Sequence, residues 1–223
     1  PDFGQAEVDP AVINLSAFET YYSEKRAFFI EGSDIFRFGS NPAGGTWGCY
    51  WNDPALFYSR RIGRRPQATP EHDGETYIPD QTTILGAAKV SGKIGKWSVG
   101  SINGITQKEY AKVDSAGIRF KELVEPLTYY GAYRGQREFN QGDQGLGFIV
   151  TGTERAQDKE NLQLINNDRA IVAGFDGWSF FGQERDWALM GKMAFSRIKG
   201  TEERITLLQK SSNHYFQRPD YEA

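Results

Sequence analysis

Between Leu56 and Arg65 the chain reads LFYSRRIGRR, and four of these residues are arginines: Arg60, Arg61, Arg64 and Arg65. A guanidinium is a planar fork of donors that matches a carboxylate two bonds at a time. Such a run therefore asks where its acids are. The first 32 residues carry them, at Glu7, Asp9, Glu19, Glu24 and Glu31. Two readings stand side by side: an exposed strand end, or a lumen-facing cluster that meets this acidic segment. In the second reading at least one of Glu19, Glu24 and Glu31 bonds one of the four arginines, and charge reversal at Glu24 and Arg61 together restores what either reversal alone disrupts.

Other chemistry is sparse. His72 and His214 stand far apart, and neither has a second histidine at metal-ligand spacing. Glu71-His72-Asp73 reads as a solvated loop cluster rather than a cation site. There is no G-x-S-x-G elbow to raise a serine nucleophile. Gly92-Lys-Ile-Gly-Lys96 has the wrong glycine spacing for a phosphate loop, and Gly142 to Gly147 reads as a hairpin turn with no helix after it. No two acids stand out as a glycosidase pair. Trp47-Gly-Cys-Tyr-Trp51 offers a sugar-stacking platform or, more commonly, buried loop anchors. The sequence thus supplies no catalytic constellation, and the expectation is no metal and no cofactor. Cys49 is the single cysteine, which excludes an internal disulfide framework and a thiolate cluster. A formal net charge of −3 gives no support to a nucleic-acid partner.

The elements that would position these residues are strands. Residues 84–105, ILGAAKVSGKIGKWSVGSINGI, read as two strands folded across a tight glycine-containing turn, with side chains alternating between faces. Five glycines in those 22 residues would weaken any helix. The unit recurs twice, giving strands over 82–91, 96–105, 127–139, 145–153, 169–180 and 186–198. Turns within the pairs are short, whereas 106–126 and 154–168 are long connections. Short turns alternating with long loops is the rhythm of outer-membrane barrels. Such barrels escape the usual meaning of a negative mean hydropathy, here −0.58, because their lumen-facing residues are polar. Aromatics near the strand ends, among them Trp97, Tyr129, Tyr130, Trp178, Phe181 and Trp187, sit where a barrel places interfacial girdles or a soluble β-protein its core.

Flanking the strands, Asp9-Pro10 reads as a helix start, with Val12, Leu15, Phe18 and Tyr22 at spacings of three and four. Ala27 to Ile30 reads as a brief strand, residues 33–56 as loop, and 56–65 as a strand ending in the arginines. Thr201 caps a helix closed by Pro219. The resulting organisation is a plug-like or linker segment over 1–55, barrel hairpins over 56–200, and a helical excursion over 201–223.

Several blocks resemble one bacterial family: PDFGQAEVDPAVINLSAFETYYSEKRAFFIEG, FYSRRIGR, ILGAAKVSGKIGKWSVG, VEPLTYYGAYRGQREF and LLQKSSNHYFQRPD. In that outer-membrane family a domain like the family-9 carbohydrate-binding modules is followed by a β-barrel domain of unknown function. Tyr21-Tyr22 and Ala27 depart from the family's expected aromatic pair and proline. The resemblance implies that this chain is the start of the barrel domain, with the sandwich lying before Pro1, and it carries no catalytic residues over.

The expected fold is all-β: an antiparallel up-and-down meander forming an open, partial barrel, with the N-terminal segment against its concave face. The expected place is the bacterial outer membrane. Expected partners are outer-membrane lipid and, through the missing N-terminal domain, carbohydrate. The expected role is envelope transport, binding or scaffolding. The alternative is a membrane-associated hydrolase or carbohydrate-binding protein whose strands form a soluble sheet.

Overall fold

The computed structural model describes residues 3, 9, 12–14, 19–39, 55–72, 74–157 and 160–212. Leu15, Phe18, Asp73, His214, Pro219 and the Trp47–Trp51 cluster lie outside the described residues. Strand β1 covers Glu75–Tyr77, β2 Ile84–Ile94, β3 Trp97–Thr106, β4 Glu109–Ser115, β5 Ile118–Glu125, β6 Leu127–Phe139, β7 Gln144–Ala156, β8 Arg169–Phe181 and β9 Trp187–Lys199. Helices are α1 (Ala27–Ile30), α2 (Glu160–Ile165) and α3 (Glu202–Lys210).

Six strands form one antiparallel sheet in the order β2-β3-β6-β7-β8-β9. Each hairpin expected from the alternation is present, with ends shifted by three residues at most. The sheet is open among the described residues: β2 and β9 each pair on one side only. No closed barrel is seen.

The 106–126 connection is not a loop. It holds β4 and β5, which join β1 in a second, three-stranded sheet of order β1-β4-β5. Ala111 and Val113 alternate with Lys112 and Asp114, so the pattern for a half-buried strand was present. The turn between these strands places Ala116 and Gly117 at φ of 50° and 80°, the mirror-image turn that suits strand twist. Ala111, Leu123 and Val124 pack with Ala68 and Leu162 into a core under this sheet.

The strand expected at 56–65 is instead extended chain around a single 3₁₀ turn, Ser59–Arg61. It pairs with no strand of either sheet; its carbonyls are taken by Arg26 at Ser59 and Ile62, by Thr82 at Gly63 and Arg64, and by the Thr151 hydroxyl of β7 at Leu56. The described parts of the expected N-terminal helix, 12–14 and 19–22, are not helical. Their backbone groups bond elsewhere: the Tyr58 hydroxyl accepts from Tyr22 N at 3.0 Å and donates to Tyr22 O at 3.0 Å. The Glu24 carboxylate accepts from Lys25 N and Arg26 N, both at 3.1 Å. An α-helical turn comes later, at Ala27–Ile30, where a strand was expected. The Thr201 cap is as read, its hydroxyl accepting from Arg204 N.

The covering segments lie on one face of the large sheet, here called inward. Phe29, Phe36 and Ile62 pack with Ile102, Tyr130 and Ala132 from β3 and β6. Inward glycines make the close approach possible. A Cβ at Gly100 would stand 2.6 Å from Ile35, one at Gly104 3.1 Å from Ile62, and one at Gly174 2.7 Å from Phe38.

Ile62 is the anchor of this cover, 1% exposed and seated on β3. Truncating it as Ile62→Ala should cost about 2–5 kcal/mol, the range for large-to-small core changes. Hydrogen exchange should then quicken in 24–36 and 59–65 while the β6–β7 ladder keeps its protection. Uniform loss across the sheet would instead mean that cover and sheet fold as a single unit.

Candidate functional site

The inward cover is tied together by one side chain. Arg26 donates from Nε to Glu24 Oε1 at 2.8 Å and from Nη2 to Glu24 Oε2 at 2.7 Å. Two further bonds go to Ile62 O at 2.7 Å and Ser59 O at 3.0 Å. The guanidinium also lies 4.1 Å from the Phe29 ring centroid. Glu24 takes a further bond from the Ser59 hydroxyl at 2.6 Å. Burial pushes the Glu24 carboxyl up, but its bonds to Arg26 and Ser59 prevail and hold it below the ordinary value.

The four arginines line up beside this pair. Arg61 Nη2 donates to Glu19 Oε2 at 2.9 Å, in a pair that is about half exposed on both sides. Arg60 grips Asp9 with both terminal nitrogens, one bond being 2.9 Å, and also donates to Ser23 O at 2.8 Å. The bond to Asp9 raises the Arg60 pKa above its usual value against the opposing effect of burial. Arg64 reaches the neutral amide oxygen of Gln67. Arg65 is exposed. Glu24 and Arg61 do not meet; the partner of Glu24 is Arg26. Glu31 contributes its carbonyl, not its carboxylate, accepting from Lys89 Nζ. A cavity of about 350 Å³ opens between these groups, lined on one side by residues 19–22 and on the other by 58–65.

A second charged pair went unread in the sequence. Arg134 on β6 donates to Asp176 on β8 at 2.6 and 2.7 Å, with side chains 0% and 4% exposed. Gly39 N caps the second Asp176 oxygen at 2.8 Å. Between them on β7 stands Gly147, whose Cβ would fall 2.6 Å from Asp176 Oδ1 and 2.7 Å from Arg134 Nη1. The signal was available: a charge in the middle of the inward positions of two strands, with glycine on the strand between.

His72 and Glu122 meet at 3.0 Å under the edge of Phe120, a structural contact of the smaller sheet. Among the described residues no three His, Cys, Asp or Glu side chains converge as a metal site would require. What the inward face offers is charge recognition by guanidiniums, on a surface whose carboxylates are mostly bonded. Of Arg60, Arg61, Arg64, Arg65, Glu19, Glu24 and Glu31, the fold gathers all but Glu31 around or beside that cavity.

A model of the family described as a domain of unknown function (DUF5916) matches residues 1–215. No curated protein matches the chain, and no solved structure does.

The two acid–arginine pairs should differ sharply in strength. Glu24→Ala leaves Arg26, 6% exposed, without its counter-charge and should cost about 3–5 kcal/mol. Glu19→Ala, at a half-exposed pair, should cost under about 1 kcal/mol. Denaturant titrations of the two variants settle the order. A pH series adds a second readout. The folded Glu24 pKa lies below its unfolded value near 4.5, so its contribution is complete above that value and fades as pH falls through the folded one. Glu24→Gln should lose this acid-side slope; an unchanged slope would assign it to other carboxylates.

Proposed function

The chain belongs to the DUF5916 family of unknown function, so its role must be read from its own surfaces, and we propose that the six-stranded sheet is wall of a β-barrel in the outer membrane of a Gram-negative bacterium. Residues 19–39 and 55–65 occupy the lumen side of that wall. The role is transport, binding or scaffolding in the envelope, with any link to glycans carried by a carbohydrate-binding partner domain.

The observation that carries this reading is the outward face. Outward positions are Gly86–Ile94 on β2, Trp97–Ile105 on β3, Leu127–Gly135 on β6, Leu146–Gly152 on β7, Ile171–Phe181 on β8 and Trp187–Phe195 on β9, taking every second residue. None is Asp, Glu, Lys or Arg. On β2, β3, β6 and β9 the uncharged stretch spans nine residues, and a tilted strand needs about 9–11 to cross a hydrocarbon core. Charges return at both ends: Arg137 near the short turns, and Glu154, Arg169, Arg197 and Lys199 at the other end. Large apolar side chains stand bare across this band, including Trp187 at 72%, Leu189 at 67% and Phe195 at 63% exposure.

Two details favour lipid as what covers the band. Aromatics cluster at the turn end, where the Arg137 guanidinium lies over Phe139 at 4.9 Å and Trp97 at 5.9 Å. That is the girdle position of membrane barrels. Within the band the polar side chains bond each other. Tyr129 and Tyr133 hydroxyls both donate to Asn103 Oδ1 at 2.6 Å, and Asn103 Nδ2 donates to Ser101 Oγ at 3.1 Å. Polar atoms in hydrocarbon need such internal partners, since no water is there to supply them. Barrels of this class need at least about eight strands, so closure takes strands beyond these six.

A lysine at mid-depth on a lipid face costs about 2–4 kcal/mol, and the same residue facing a lumen costs far less. In lipid vesicles Val150→Lys, outward and central on β7, should therefore lose about that much stability. Ser196→Lys, inward on β9, should stay near the parent. Equal costs at the two sites, or a protein that stays dispersed and folded in buffer without lipid or detergent, would return the sheet to a soluble role.

A further inference from the structure

We propose that the cavity between residues 19–22 and 58–65 binds a small oxyanion, a phosphate- or sulfate-like group on a water-soluble solute. Five guanidiniums line it, those of Arg26, Arg60, Arg61, Arg64 and Arg65, against three carboxylates, Asp9, Glu19 and Asp80. The first three guanidiniums have their counter-charges in Glu24, Asp9 and Glu19. Among the described residues Arg64 and Arg65 have none. Arg64 gives one terminal nitrogen to a neutral amide, and its buried Nε has no hydrogen bond to any described residue. That leaves two neighbouring forks in a lining whose remaining acid is Asp80.

Geometry suits an oxyanion better than a cation or a neutral sugar. Adjacent guanidiniums repel each other, and a doubly charged tetrahedral group relieves the repulsion while accepting from both forks. About 350 Å³ is enough for a phosphate with a small organic carrier and too little for a folded partner. The cavity lies on the inward side, opposite the apolar band, so a lipid headgroup anchored in that band is not its source. The site rests on the inward geometry alone and holds whether or not the outward face meets lipid.

The test is calorimetric titration of the folded protein with inorganic phosphate, with sodium chloride at matched ionic strength as the reference. A saturable heat with phosphate and none with chloride is expected. In the double variant Arg64→Gln/Arg65→Gln the affinity should fall roughly tenfold or more. Arg169→Gln, in an exposed pair with Glu154 on the outward side, should bind like the parent. Circular dichroism checks that each variant is folded. If the double variant fails that check, Arg65→Gln alone serves, since its side chain is exposed. Absence of saturable heat in the parent, or undiminished affinity in the folded arginine variant, overturns the site.

Discussion

Arg26 holds both halves of the inward cover with a single guanidinium. Two of its bonds close on Glu24, two residues earlier, and two reach the carbonyls of Ser59 and Ile62. Ser59 O also accepts from Ile62 N within its own turn, whereas Ile62 O, on a stretch that pairs with no strand, takes its bond from Arg26. Ile62 can sit on β3 only because its own carbonyl is satisfied in this way, and Phe29 reaches the sheet from the helical turn that follows Arg26. The hydrophobic contacts supply the bulk of the attraction. The guanidinium decides where those contacts form. A buried ion pair is a weak source of net stability but a strong source of position, because any other arrangement strands a charge.

The same logic separates the two faces of the sheet. Inward positions hold Arg134, Asp176, Lys89, Lys192 and Arg155, and several glycines that admit the cover. Outward positions of the band hold no formal charge at all. Averaged along the chain these faces cancel, and the mean hydropathy of −0.58 hides both. Resolved by strand parity, the sheet has a polar side that folds its own covering onto itself and an apolar side that has none. Gly39 shows how closely the polar side is fitted. It threads between Asp176 and Lys192 at φ of 67°, donating to the former, and a Cβ there would fall 2.4 Å from the Lys192 chain.

How much of this was legible depends on how far apart the deciding residues lie. The six long strands were readable because alternation is a local signal and their turns are short and glycine-bearing. The β4–β5 hairpin carries the same alternation, yet its turn is Ala116-Gly117, and alanine at positive φ does not advertise a mirror-image turn as Asn-Gly would. At the N-terminus the spacing of Val12 and Tyr22 suggested a helix, and the Tyr58 hydroxyl took the Tyr22 backbone instead. The acid–arginine theme was legible in kind. Its pairing was not: the pair singled out was Glu24 with Arg61, and the bond that forms is Glu19 with Arg61. Because 24–26 is extended, residues two apart share a face, so Arg26 is the nearest fork to Glu24 and Arg61 is left to Glu19.

The Arg134–Asp176 pair was beyond local reading for a different reason. The two residues are 42 apart, and they meet across an intervening strand only because the register places Gly147 opposite Asp176. A single residue of slip on β7 would exchange Gly147 for Leu146 or Phe148, close the gap and turn that strand's apolar set inward. Register, glycine position and charge pairing are therefore one constraint seen three ways. The pair requires the gap and the gap requires the register. The register in turn keeps Leu146, Phe148 and Val150 on the outward side. A buried guanidinium on the inward face thus fixes which side chains the opposite face presents, and the apolar band owes its alignment to charges it never touches.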